Sequence, residues 1–275
     1  MTGIADKTIL ITGATDGLGR ALAGELAAQG ASLILHGRDP ERGRQLLEEL
    51  RGSTGNTGLS LVLADFSSLD EIHRLADDIA SRERLDVLVN NAGLGVELDR
   101  RDSKDGHELT FQVDYLAPYI LSCRLAPLLA RSAPARIVNV ASAGQAPLDF
   151  ADVMLERGWD GVQAYCQAKL AEIMLAFDLA EVLRGTGVTA NALHPASYMP
   201  TKMVVGLFTP QSTLAEGLAH TLRLVVDPAL EQVSGVYFNR AAPARAAEQA
   251  YDPSARARLR DLSEELTGVA FPVGF

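Results

Sequence analysis

The sequence predicts an α/β protein: one domain over residues 1–275, with a doubly wound parallel sheet of about seven strands and helices on both faces. Three observations carry this. Short β-branched or apolar runs alternate with amphipathic helical runs along the chain. The strand runs are almost continuously apolar, as in a sheet covered on both sides. Right-handed crossovers between such strands wind the sheet in both directions. A chain of 275 residues with 47% hydrophobic content is enough to bury one large core.

The elements follow in order. Thr8 to Thr12 reads as a buried strand, and Leu18 to Gln29 as a helix that Gly30 stops. Ser32 to His36 is the second strand, with a helix after it from Pro40 to Leu50; proline suits a first helical turn. Gly52 to Gly58 reads as a loop on composition. Leu59 to Leu63 is the third strand, Leu69 to Arg82 a helix, and Val87 to Val89 the fourth strand. A long helix is expected from Gly106 to Arg131, then a strand from Arg136 to Val140. A helix containing Tyr165 runs to Arg184, Val188 to Leu193 is the sixth strand, and Val233 to Asn239 the seventh. The segment 195–222 is less regular and follows a strand's carboxyl end, where open α/β sheets bind ligands, so it is a candidate substrate lid. No internal repeat or linker interrupts the chain.

The net charge of −10 argues against a nucleic-acid partner, which wants a basic surface. Cys123 and Cys166 have no metal-ligand spacing, so no metal is expected, and the reducing cytoplasm is the natural compartment. The residues after Met1 do not form a signal peptide, and no run reaches the ~18 apolar residues of a membrane span. A soluble protein without a membrane anchor is expected.

Thr12-Gly13-Ala14-Thr15-Asp16-Gly17-Leu18-Gly19 joins the first strand to the first helix. Glycines there let the backbone turn tightly beside a pyrophosphate, and the helix start offers free N–H groups. Gly13, Thr15, Asp16, Gly17, Leu18 and Gly19 are therefore candidate cofactor contacts. At the end of strand two, His36-Gly37-Arg38-Asp39 has glycine where an acid would read a ribose hydroxyl, and Arg38 directly after it. A guanidinium matches a 2′-phosphate, which favours NADP(H) over NAD(H). Asp39 can instead cap the next helix. Asp65, with Phe66 beside it, is placed for the adenine amino group or for a helix cap.

Tyr165 and Lys169 are four apart, so they share a helix face. A nearby ammonium lowers a phenol's pKa and fits it for proton transfer near neutrality. The same spacing also arises on solvated helix faces, so it is the company of the glycine loop that gives it weight.

With these segments in place the chain resembles the short-chain dehydrogenase/reductase family, a family on the Rossmann-type fold, over essentially its whole length. The glycine loop matches T-G-x-x-x-G-x-G, Asn90-Asn91-Ala92-Gly93 matches N-N-A-G, Ser142 falls at the catalytic serine, and Tyr165 and Lys169 match Y-x-x-x-K. The wide Ser142–Tyr165 gap, the phrase around Tyr165 and His194-Pro195 most resemble retinol-dehydrogenase-like, NADP(H)-using members. The resemblance implies that Asn91, Ala92 and Gly93 flank the cofactor, and that Tyr165 exchanges a proton with the substrate oxygen. It also implies that Lys169 tunes Tyr165 and bonds the nicotinamide ribose, and that Ser142 steadies charge on the substrate oxygen. Asp114 stands where the family carries an Asn in the proton relay. Pro195-Ala196 replaces Pro-Gly, and the threonine at the nicotinamide side is displaced to Thr201.

The expected activity interconverts a carbonyl and an alcohol by hydride transfer, on a small apolar substrate bordered by Leu94, Val96, Leu148, Phe150, Tyr198, Leu207 and Phe208. The competing readings are a non-catalytic NADP(H)-binding regulator and a dehydratase or epimerase. His194, Met199 and Met203 read first as structural. The resemblance implies a homodimer or homotetramer through the helices of Tyr115 and Tyr165, whose apolar residues fit the chain's own core equally well.

Overall fold

The computed structural model describes residues 3–273. Its strands are β1 (Thr8–Ile11), β2 (Ser32–Gly37), β3 (Leu59–Leu63), β4 (Val87–Asn90), β5 (Ala135–Val140), β6 (Val188–His194), β7 (Tyr237–Asn239) and β8 (Ala242–Ala244). They form one sheet in the order β3-β2-β1-β4-β5-β6-β7-β8. All pairings are parallel except β7 with β8, which is antiparallel. The strand order reverses between β1 and β4, so the switch point of the doubly wound sheet lies there.

The helices are α1 (Gly17–Ala28), α2 (Pro40–Thr54), α3 (Leu69–Ala80), α4 (Leu109–Phe111), α5 (Ala117–Arg131), α6 (Gly161–Val182), α7 (Leu214–Val226) and α8 (Pro253–Thr267). Strand residues alternate between two cores. Leu10, Leu88 and Ile137 face a cluster with α3, α5, α6 and α8, whereas Ile9, Ile11, Val87, Val89 and Val138 face one with α1, α2 and α7.

Several expectations change. The helix α2 continues through the expected loop to Thr54, with Arg51 donating to the Leu59 carbonyl. The long helix starts at Leu109 rather than Gly106, and a π-helical turn at Gln112–Leu116 separates α4 from α5. The last third of the expected lid is the start of α7, where Thr213 and Glu216 form a reciprocal capping box. The seventh strand shortens to β7. The unexpected β8 and α8 complete the chain, and Asp252 caps α8 ahead of Pro253.

Near Tyr115, part of the surface on which an oligomer was expected carries α8 and the segment after it. Tyr115 bonds Ser263 of α8 at 2.7 Å, and Tyr119 donates to the Val269 carbonyl at 2.9 Å and stacks near Phe271. No helix among the described residues is long and apolar enough to cross a membrane.

Candidate active site

The carboxyl ends of β1, β4, β5 and β6 bring the glycine loop, the Asn91 segment and Ser142 to one edge. Thr12 ties the first two together: its Oγ1 accepts the N–H groups of Asn91 and Ala92, both at 2.9 Å, and donates to the Val89 carbonyl. Asn91 returns a bond to the Thr12 carbonyl at 2.8 Å. Gly13 is left-handed (φ +65°), and a Cβ there would lie 2.8 Å from the Ala92 backbone, so only glycine lets the two segments meet. Asp16 caps α1 by accepting from Gly17 N, which leaves the Leu18 and Gly19 N–H groups at the open helix start.

The sequence reading missed His36. Its Nδ1 accepts from Gly13 N at 3.2 Å, its Nε2 meets the Ala64 carbonyl at 3.0 Å, and its ring stacks on Phe66 at 4.3 Å. Burial pushes its pKa down to about 4, against the pull of the Ala64 carbonyl. The ring is therefore neutral, with Nε2 as donor. A lone His at a strand end gave no sign of this.

Arg38 is exposed, with no ion-pair partner among the described residues. Asp39 caps α2 through Glu41 N and Arg42 N, so the capping alternative is the one realised. Arg42, not singled out in the sequence, reaches the Thr15 carbonyl at 3.2 Å and Asp16 at 3.0 Å. Asp16 also pairs with Lys202 at 3.0 Å. Burial would raise the Asp16 carboxyl, but Lys202, Arg42 and the Gly17 amide outweigh it and hold the group low. Asp65 accepts from Ser67 N and pairs with Lys104, while Ser68 caps α3, so the cap alternative for Asp65 fails.

Tyr165 and Lys169 stand on α6, whose start Asp160 caps. The Lys169 Nζ lies 5.9 Å from the Tyr165 ring centroid. The expected lowering of the phenol's pKa is reversed: burial raises it, and the Lys169 charge and the Ser142 hydroxyl offset this only in part. Ser142 is nearly buried; its Oγ accepts Gly144 N at 3.0 Å. Its carbonyl is held by the Tyr237 hydroxyl and by Gln145 Nε2, each at 3.0 Å.

Asp114 projects from the π turn, a feature that recurs at functional sites. Fully buried, it accepts Leu94 N at 2.6 Å and lies 3.2 Å from Lys169 Nζ. A Cβ at Gly93 would come within 3.0 Å of the same carboxylate. Asn90 bonds Ser122 and Asn139, and Asn139 bonds the Glu172 carbonyl, linking β4, β5 and α6 beneath the edge.

Thr201 lies against Gly17 and Met203 against Gly95, so the segment after β6 spans the edge. Tyr198, Leu207 and Phe208 on it are exposed, and the Tyr198 and Phe208 rings are 5.0 Å apart. By contrast Leu148 is buried in the first core, and Phe150 packs against that core with the Arg258 guanidinium over its ring. His194 bonds Ser197, and burial lowers its pKa to about 4. Met199 packs against the second core.

A helix start open to phosphate, with a phenol, an ammonium and a serine at the same edge of the sheet, has the layout of a nucleotide-dependent oxidoreductase acting on alcohol and carbonyl groups. The chain belongs to the short chain dehydrogenase family, whose sequence model matches residues 7–211. It is 33% identical to mouse (Mus musculus) retinol dehydrogenase 13, over 98% of this chain and 86% of that one. It is 35% identical to human (Homo sapiens) retinol dehydrogenase 14, over 96% and 87% of the two chains. An uncharacterized protein from Mycobacterium Paratuberculosis superimposes with a TM-score of 0.83 at 26% identity, covering 99% of this chain and 97% of that one. A short chain dehydrogenase from Escherichia coli CFT073, complexed with NADPH, superimposes at 0.70 with 27% identity, covering 86% and 97%.

Proposed function

We propose that this protein is an NADP(H)-dependent oxidoreductase that interconverts an apolar carbonyl compound and its alcohol, with Tyr165 as the proton donor and acceptor. The observation that carries the reading is the placement of Tyr165, Lys169 and Ser142 at the carboxyl end of β5, beside the switch point. The residues present fit the cofactor. The open N–H groups of Leu18 and Gly19 suit a pyrophosphate, and Arg38, without an ion-pair partner among the described residues, suits a 2′-phosphate. Gly37 leaves room for Thr15 rather than offering an acid to a ribose. When bound, the nicotinamide supplies or accepts the hydride.

The chain does the rest. In reduction Tyr165 gives its proton to the carbonyl oxygen; in oxidation its phenolate takes the alcohol proton. The Ser142 hydroxyl donates to the same oxygen as charge gathers on it. The Lys169 ammonium favours the phenolate, and Asp114 holds both Leu94 and Lys169. Tyr198, Leu207 and Phe208 give the segment over the edge an apolar surface, and the similarity to enzymes named for retinol agrees with an apolar alcohol or aldehyde. Two free thiols, one buried and one half-buried, favour a reducing cytoplasm.

The test is a screen of NADPH and NADH oxidation against diverse aldehydes and ketones, repeated with Arg38→Asp. Turnover preferring NADPH, with the preference lost in the variant, is expected. NADPH binding without any turnover would favour the regulator instead. An isomerised product without net cofactor oxidation would favour the epimerase reading.

A further inference from the structure

The Lys169 ammonium is fully committed within the protein. It donates to Glu172 Oε2 at 2.9 Å and to the Val140 carbonyl at 3.3 Å, and it forms an ion pair with Asp114 Oδ2 at 3.2 Å. Glu172 lies one turn along α6 and is, like Asp114, completely buried. Its backbone is fixed from β5, where Asn139 donates to its carbonyl at 2.9 Å. Its second oxygen, Oε1, has no hydrogen-bond partner. One cation therefore serves two sealed carboxyl groups. Two ionised carboxylates would leave a net buried negative charge, with Asp114 Oδ2 and Glu172 Oε1 both lacking a hydrogen-bond donor.

We propose that Glu172 is a positioning residue for the proton transfer: it takes a share of the Lys169 ammonium and so limits how strongly that ammonium favours a Tyr165 phenolate. The inference rests on Tyr165 as proton donor and acceptor. The groups facing Glu172 are Lys169 and Tyr165 on its own helix and Asp114 on the π turn, with Glu108 acting more remotely on Asp114. From β5 it meets the Asn139 amide, and the Val140 carbonyl meets the same ammonium. Burial pushes Glu172 up to about 8, with Lys169 opposing, so it is largely neutral at pH 7 and ionised at pH 10. The sign follows. The added negative charge draws on Lys169 and opposes the phenolate, so Tyr165 ionises at a higher pH than it would beside a neutral Glu172.

The direct test is a spectroscopic titration of phenolate absorbance on the whole protein. Tyr165→Phe identifies the step that belongs to Tyr165 among the six tyrosines. In Glu172→Gln, which keeps the shape and cannot ionise, that step should move to lower pH by roughly one unit, the size expected of a charge change several ångströms away in a protein interior. Glu172→Asp, which keeps the charge, should titrate close to the parent. A melting curve establishes that each variant is folded, and Glu172→Asn carries the same expectation if the Gln variant does not fold. Superimposable titrations of parent and Gln variant would overturn the proposal. So would a shift to higher pH, or an equal shift in the Asp variant, which would assign the effect to packing. The titration needs no substrate. A shift without turnover would leave the coupling of Glu172 to the Tyr165 phenolate standing and sink the proposed function, and turnover without a shift would do the reverse.

Discussion

Asp114 and Lys169 form a buried ion pair, 3.2 Å apart, in which the same carboxylate also accepts the Leu94 amide at 2.6 Å. The pair joins the N-N-A-G segment to α6 through one side chain. Burial raises the Asp114 carboxyl to about 6 against the Lys169 charge, so it is mostly ionised at pH 7. Asp114→Asn would keep an acceptor for Leu94 and remove a negative charge that opposes the Tyr165 phenolate. The pH profile of alcohol oxidation by this variant should therefore rise at lower pH than in the parent. A profile unmoved on the pH axis would show that Asp114 does not act on Tyr165.

Gly37 does more than leave out an acid. A Cβ there would lie 2.6 Å from the Thr15 Cγ2, so the end of β2 and the glycine loop are in contact. Gly37→Asp should weaken binding of both cofactors rather than convert the protein to NADH. Trimming Thr15 to Ser in the same chain should restore binding and bring NADH affinity up. Fluorescence titration with each cofactor checks both statements, and tight NADH binding by the single variant would contradict them.

Tyr237 holds Ser142 from behind. Its buried hydroxyl donates to the Ser142 carbonyl at 3.0 Å, and burial raises its pKa to about 12, so it remains a donor across the working range. Tyr237→Phe removes one neutral hydrogen bond, about 1 kcal/mol. If that energy places the serine, kcat should fall roughly fivefold while cofactor affinity stays the same. An unchanged kcat would mean that Gln145 suffices.

At the opposite end of the sheet, Asp86 is fully buried and bonded to Arg84 at 2.7 Å, Lys7 at 2.9 Å and Thr8 N at 2.9 Å. Burial would raise its carboxyl, but these partners more than offset this and hold it low. Its folded pKa thus lies below its unfolded one. The stabilisation is present above the unfolded pKa of about 4 and is lost as pH falls through the folded value. Asp86→Asn should cost roughly 1–3 kcal/mol in denaturant melts at pH 7, and the gap from the parent should narrow on acidification. A gap independent of pH would contradict the role given to its charge.

The sheet was legible because its strands are short apolar runs set between glycines and helices, as at Thr8 to Gly13. The glycine loop, Asn91, Ser142, Tyr165 and Lys169 were legible because their spacing in the chain survives into the fold. The capping box of Thr213 and Glu216 was also there to be read, and it marks the start of α7. The rest depended on contacts distant in sequence. The bond from Gly13 to His36, and the hold of Tyr237 on Ser142 from 95 positions away, leave no local pattern. The π turn that aims Asp114 is invisible in periodicity. The direction of the Tyr165 shift depends on burial, which a helix-face argument does not supply. Glu172 did leave a trace, as a lone acid within the apolar run Leu170 to Leu175.

The most direct test of the central claim follows deuterium from C4-deuterated NADPH during reduction of a carbonyl substrate found in the screen. The label should appear on the carbinol carbon of the product, and Tyr165→Phe should bind NADPH yet lose about a hundred- to ten-thousand-fold in rate. Product without label at that carbon, or undiminished turnover in the variant, would contradict the assignment.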